Sequence, residues 1–104
     1  MFIHAWTEDR RCAAARIAID RLEREMGRRP GAPEFAQIAR LCQMVEADVG
    51  RGSGIGEKLG TLLQQARVLE RAAYLQPGDI RRAKLIFVIT CASIRTIVDR
   101  MSAH

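Results

Sequence analysis

Three glycines, Gly52, Gly54 and Gly56, with Lys58 just beyond them, come nearest to a recognisable chemical motif in this chain. A dinucleotide-binding loop needs G-x-G-x-x-G between a strand and a helix, so that bare backbone can approach a pyrophosphate. Here the spacing is G-x-G-x-G, Glu57 stands where the third glycine would fall, and no strand-like run precedes it. The Walker pattern is broken as well, because Glu57 separates Gly56 from Lys58 and Leu59 replaces the magnesium-binding hydroxyl. A plain flexible connection is expected. Metal binding finds no better support: His4 and His104 lie at opposite ends of the chain, and Cys12, Cys42 and Cys91 show neither C-x-x-C nor His-containing ligand spacing. A thiol with no neighbouring histidine has nothing to activate it, so the three cysteines read as small core residues. Glu23 and Glu25 are two apart on a helix and diverge. No catalytic, cofactor or metal site is therefore expected, and the chain is not expected to be an enzyme.

The elements that would hold such groups are helical. Apolar residues make up 48% of the 104-residue chain and charged residues 28%, a globular balance, and the length suits a single domain over residues 1–104. Thr7 reads as an N-cap, with Glu8 and Asp9 favourably placed in the first turn. Cys12, Ala15, Ile19, Leu22 and Met26 follow at spacings of three and four, on one helical face. Gly27 and the stretch RRPGAP end that helix. Arg16, Asp20 and Arg24 stand four apart on its solvent side and are expected to pair along it. Pro33 and Glu34 open a second helix with Phe35, Ile38, Cys42, Val45 and Val49 as its stripe. A third runs from Ile55 to about Gln76, with Leu59, Leu62, Leu63, Ala66, Leu69 and Ala73 on one face. Pro77 and Gly78 stop it. Asp79 can cap a fourth, on which Ala83, Phe87, Thr90, Ile94, Ile97 and Met101 recur helically. The prediction is an all-α fold, a small bundle of about four helices with the last strongly apolar. A strand over Leu85–Ile89 is the alternative, set aside because the chain offers no partner strand.

The formal net charge of +5 invites a nucleic-acid partner, but acids are interleaved with the bases along most of the chain. Arg81, Arg82 and Lys84 form the best cationic cluster, and the reading preferred for it is a solvated helix start. The second and third helices could pose as a helix-turn-helix, yet their connection is too long and glycine-rich. Direct nucleic-acid binding is not the expectation. The odd, widely spaced cysteines and the sequence MFIHAW, which lacks the marks of a signal peptide, predict a cytoplasmic protein with reduced thiols. The apolar run of the fourth helix is too short for a membrane span and is interrupted by Arg95.

That fourth helix carries the functional expectation. A surface helix in a bundle needs an apolar stripe about 100° wide, yet Leu85 to Ile89 contains no polar residue at all. Such a segment is either central in the fold or meets another chain. The second option is preferred, with a homodimer as the commonest closed arrangement. Leu85, Ile86, Phe87, Ile89, Ile94 and Ile97 are the expected partner or dimer interface.

Taken together, the opening MFIHAWTEDRRCAAARIAIDRLE, the GRGSGIG connection and the closing QPGDIRRAKLIFVITCASIRTIV resemble the small helical quorum-sensing antiactivators in length and layout. The resemblance implies a dimeric helical protein that docks on the ligand-binding domain of a LuxR-type (LasR-like) transcriptional activator. It further implies disruption of that regulator's dimerisation and loss of its DNA binding. A small basic nucleic-acid-binding protein and a helical chaperone are the alternatives.

Overall fold

The computed structural model describes residues 2–27 and 34–102. They form α1 (Phe2–Gly27), α2 (Phe35–Val49), α3 (Ile55–Leu69) and α4 (Pro77–Ser102), with a single 3-10 turn at Ala72–Tyr74 before α4. α1 packs on α2 and α4, and α3 packs on the same two, so the helices form a closed four-membered ring with no central member. The interior is apolar throughout: no polar or charged described residue is buried.

The periodicity read from the sequence maps directly onto this interior. Cys12, Ala15, Ile19, Leu22 and Met26 are all buried along α1, joined by Ala18. Ile38, Cys42 and Val45 are buried on α2 with Leu41 added, and Phe35 and Val49 pack at the margin of the core. On α4 the agreement is partial: Ala83, Phe87 and Ile94 are buried together with Cys91 and Val98, while Thr90, Ile97 and Met101 are half-buried. The Leu85–Ile89 segment is helical despite its β-branched residues. At its end the Thr90 hydroxyl donates to the Ile86 carbonyl at 2.7 Å, which satisfies that polar group within the helix.

Several boundaries differ from expectation. α1 begins at Phe2, so Thr7 lies inside the helix and does not cap it; nothing between them breaks the helical turn. α2 begins at Phe35 with Glu34 at its cap position, and Pro33 falls outside the described residues. α3 stops at Leu69 and not near Gln76. Its backbone tightens first, with Arg71 N–H donating to Val68 and Tyr74 N–H to Arg71, and then Leu75 is extended. Pro77 keeps only Gln76, the residue before it, away from the α conformation; the tightening begins well before that. Ala73, expected on the core face of α3, is consequently exposed. α4 starts at Pro77, where the missing N–H costs nothing. The N–H groups of Asp79 and Ile80 both reach the Gln76 carbonyl, so Asp79 sits in the first turn and does not cap it.

The glycine stretch between α2 and α3 is a bonded turn. Gly50 and Gly54 take φ of 80° and 84°, and Ser53 takes 57°, the left-handed conformations that let the chain reverse here. Gly50 N–H donates to Glu46, Ile55 N–H to Gly52 and Gly56 N–H to Arg51. A Cβ on Gly56 would come within 3.0 Å of the Arg51 side chain, which lies across it on the way to Glu46.

Ion pairs bridge the two long helices. Arg16 Nε donates to Asp99 at 2.8 Å and its Nη2 to the Ser102 hydroxyl. Arg95 spans Asp20 at 2.5 Å and Glu23 at 2.7 Å. Arg16 and Asp20, expected to pair along α1, thus pair across to α4. The helices are antiparallel and staggered. Each holds 26 residues, about 39 Å at 1.5 Å per residue, yet the molecule is 53 Å long. Gly27, one turn past Glu23, ends α1 roughly opposite the turn of α4 that follows Val88. The first three turns of α4 run on beyond it.

Candidate functional site

The stagger leaves one stretch of α4 with an outward apolar face. Leu85 is 59% exposed, Val88 42% and Ile89 58%. They stand at spacings of three and four, with exposed Ala92 one turn further on, so they form a stripe about 10 Å long on one side of the helix. Covering a fully exposed Leu, Ile or Val side chain contributes about 1.5–3 kcal/mol, so these partly exposed ones would add roughly half that each against a partner. Four cations edge the stripe: Arg81, Arg82 and Lys84 on the preceding turn of α4, and Arg24 on the last turn of α1. None of the four forms an ion pair with a described residue.

The six residues expected at the interface divide three ways. Leu85 and Ile89 lie on the exposed stripe. Ile86 and Ile97 are half-buried on the shoulder of α4 nearer α3. Phe87 and Ile94 are fully buried in the core of this chain and are not on its surface. Sequence reasoning had no means to divide them, since a helix apolar on all sides does not say which side its neighbours cover. Val88 belongs to the stripe and was not singled out; its place three residues after Leu85 and one before Ile89 was the available signal. Other large apolar side chains are exposed singly: Ile17 on α1, Met44 on α2 and Tyr74 in the 3-10 turn.

Elsewhere the chemistry is closed. Cys12, Cys42 and Cys91 are buried in the core, with no disulfide among them. Burial pushes Cys42 up to about 12; burial, reinforced by the negative charge of Glu23, does the same to Cys91. Since the thiolate is the nucleophile, neither is reactive near neutral pH. The hydrogen bond to Glu23 holds the Arg95 guanidinium more firmly protonated than usual, against the opposing effect of its partial burial. No cluster of three metal-ligating side chains occurs among the described residues, and no buried side-chain polar atom there lacks a hydrogen-bond partner. At the start of α3 the amides of Ile55, Gly56 and Lys58 already donate to loop carbonyls. A depression at the opposite end of the molecule, lined by Arg11, Cys12, Glu46, Asp48, Val49 and Met101, opens to solvent. No described helix is long and apolar enough to cross a membrane.

What this arrangement can do is present a rigid, linear apolar stripe with three cations at its N-terminal end and Arg24 near the other. Comparison with family models, with curated proteins and with solved structures finds no match.

Proposed function

We propose that this chain is a non-enzymatic regulatory protein of the cytoplasm, an antiactivator that binds a LuxR-type, LasR-like transcriptional activator and holds it apart from its own dimer partner. The observation that carries the reading is the exposed stripe Leu85, Val88 and Ile89 on an otherwise well-packed helix. A protein inhibitor of this kind needs no reacting group. It needs a rigid scaffold, an apolar anchor and charges that orient the encounter. The resemblance in length and layout supplies the class of partner. By mass action, each regulator monomer captured is withdrawn from the dimer that would bind DNA. A homodimer of this chain through the same stripe would compete with that capture.

The test is a reconstitution. Purified regulator with its ligand and operator DNA is titrated with this chain, reading the DNA complex by gel shift and the protein complex by size-exclusion chromatography. The expected outcome is loss of the DNA complex as a regulator–inhibitor complex appears, with Ile89→Glu abolishing both effects. Undiminished DNA binding at saturating inhibitor would reject the reading. A second reading, nucleic-acid binding, is favoured by the unpaired Arg81, Arg82 and Lys84. It predicts affinity for bare duplex that falls steeply with salt, and a flat salt response would remove it.

A further inference from the structure

We infer that the α4 stripe is built for an acidic amphipathic helix of another protein and not for a second copy of this chain. This deepens the reading above and rests on it only in taking that face as the docking site.

The argument is one of unmatched charge. On the outward side of the α1–α4 pair the carboxylates are Asp20, Glu23 and Asp99, and each already pairs with an arginine of the same chain: Asp20 and Glu23 with Arg95, Asp99 with Arg16. Arg24, Arg81, Arg82 and Lys84 have no such partner. Asp79 stands three residues before Arg82, a neighbouring position on the helix, yet forms no ion pair with it and sits in the first turn, where the helix dipole favours it. A second copy laid on the stripe would bring matching apolar residues, but its carboxylates on that face would arrive already committed, and its own four free cations would add to the positive charge. A partner that brings apolar residues and free carboxylates together satisfies both halves of the surface.

The geometry narrows the partner's shape. Leu85, Val88, Ile89 and Ala92 run along a single helix, so the complementary element is linear. Ala92 is small and lets a backbone approach closely at the far end of the stripe. An α-helix with anchors at i, i+3, i+4 and i+7 fits such a ridge. Arg81, Arg82 and Lys84 lie together at the N-terminal end of the stripe, while the α1–α4 register places Arg24 alone beside Ala92 at its other end, so most of the partner's carboxylates must lie beyond one end of its own apolar row. That asymmetry gives the docked helix a direction as well as a site.

The experiment uses the full chain and a fluorescently labelled synthetic helical peptide of about 18 residues, with a leucine stripe and glutamates flanking one end of it. A counterpart carries lysines in place of the glutamates. Anisotropy titrations at low and physiological salt are combined with sedimentation of the unliganded protein. The acidic peptide should bind about tenfold or more tighter than the lysine peptide, with the preference shrinking as salt screens the rim. Leu85→Ser with Ile89→Ser, and separately Arg81→Glu with Arg82→Glu, should each weaken it about tenfold. All four side chains are exposed or marginal, and circular dichroism checks that the fold is kept. Equal binding of the two peptides, or none by either, overturns the inference. So does a homodimer that Ile89→Ser dissociates and the acidic peptide does not displace, which would give the face to a second copy. Tight binding of duplex DNA that displaces the peptide and ignores the serine changes would overturn it in favour of a purely electrostatic site. The two readings fail separately. Capture of the LuxR-type regulator unaffected by Arg81→Glu/Arg82→Glu sinks this inference and leaves the function standing. Selective binding of the acidic peptide without regulator capture does the reverse.

Discussion

The two halves of α4 solve the same problem in opposite ways. Along the shoulder facing α1, the C-terminal half carries Arg95 and Asp99, and both are met by charges on α1. Two turns back on that shoulder, Val88 replaces Arg95 and Ala92 replaces Asp99, and a further two turns back stands Leu85. Where the chain supplies its own neighbour the shoulder is charged; where α1 has run out it is apolar and exposed. A shoulder with no purpose beyond solubility would show the reverse, because charge is what an uncovered helix surface tolerates at no cost. The inversion is the reason for assigning the N-terminal half, and not the ion-paired half, to a partner.

The largest expected effect separates the inner face of α4 from the outer one. Phe87→Ala should lower unfolding free energy by about 3–5 kcal/mol, since the ring is fully enclosed, whereas Leu85→Ala one helical half-turn away should change it by no more than about 0.5 kcal/mol. Urea denaturation followed by circular dichroism measures both, and similar losses would erase the distinction between the faces.

A second effect probes the core beneath both halves. The folded Cys42 and Cys91 thiols titrate near 12, against 9.0 for the free group. The folded state therefore keeps protons that the unfolded chain gives up. The stability these thiols contribute is intact below pH 9 and is lost as pH rises from about 9 to about 12, with a slope of up to about 1.4 kcal/mol per pH unit for each thiol. Comparing the pH dependence of denaturation midpoints with that of Cys42→Ala and Cys91→Ala should show a shallower alkaline fall in each variant. An unchanged slope would mean that the thiols are not shielded as the fold requires.

Smaller again is the effect at the ion-paired shoulder. A double-mutant cycle between Arg95→Gln and Glu23→Gln should give a coupling of about 0.5–1 kcal/mol, reduced by salt because the pair is partly exposed. Zero coupling at low salt would imply that the α1–α4 register is set by packing alone. The smallest effect on stability should come from Ile89→Ser, within about 0.5 kcal/mol. Its weight should fall on complex formation with the regulator, read by size-exclusion chromatography. A variant that loses stability but keeps its partner would contradict the division of the helix drawn above.

Much of the interior was legible in the chain. The α1 stripe from Cys12 to Met26 and the core positions Ile38 and Leu59 follow from spacing alone, because a helix repeats every 3.6 residues whatever surrounds it. Local punctuation was read less well. Thr7 looked like a cap but the helix runs through it, and the end of α3 was placed near Gln76 although the α-helix gives way to a tighter turn after Leu69. The candidate site was half legible: the excess of apolar residues in Leu85–Ile89 was visible, but the split into buried Phe87, exposed Leu85 and Ile89, and half-buried Ile86 was not.

By itself, then, the sequence determined the helices, their inward faces and the surplus of apolar surface on the last one, since these depend on contacts within a few residues along the chain. Only the tertiary structure decided that Arg16 and Asp20 reach across to α4, that α1 and α4 are staggered, and that α1 ends short of Leu85. Those outcomes depend on which helix lies beside which and at what offset. Many side chains summed over whole interfaces settle that offset, and no local spacing encodes it.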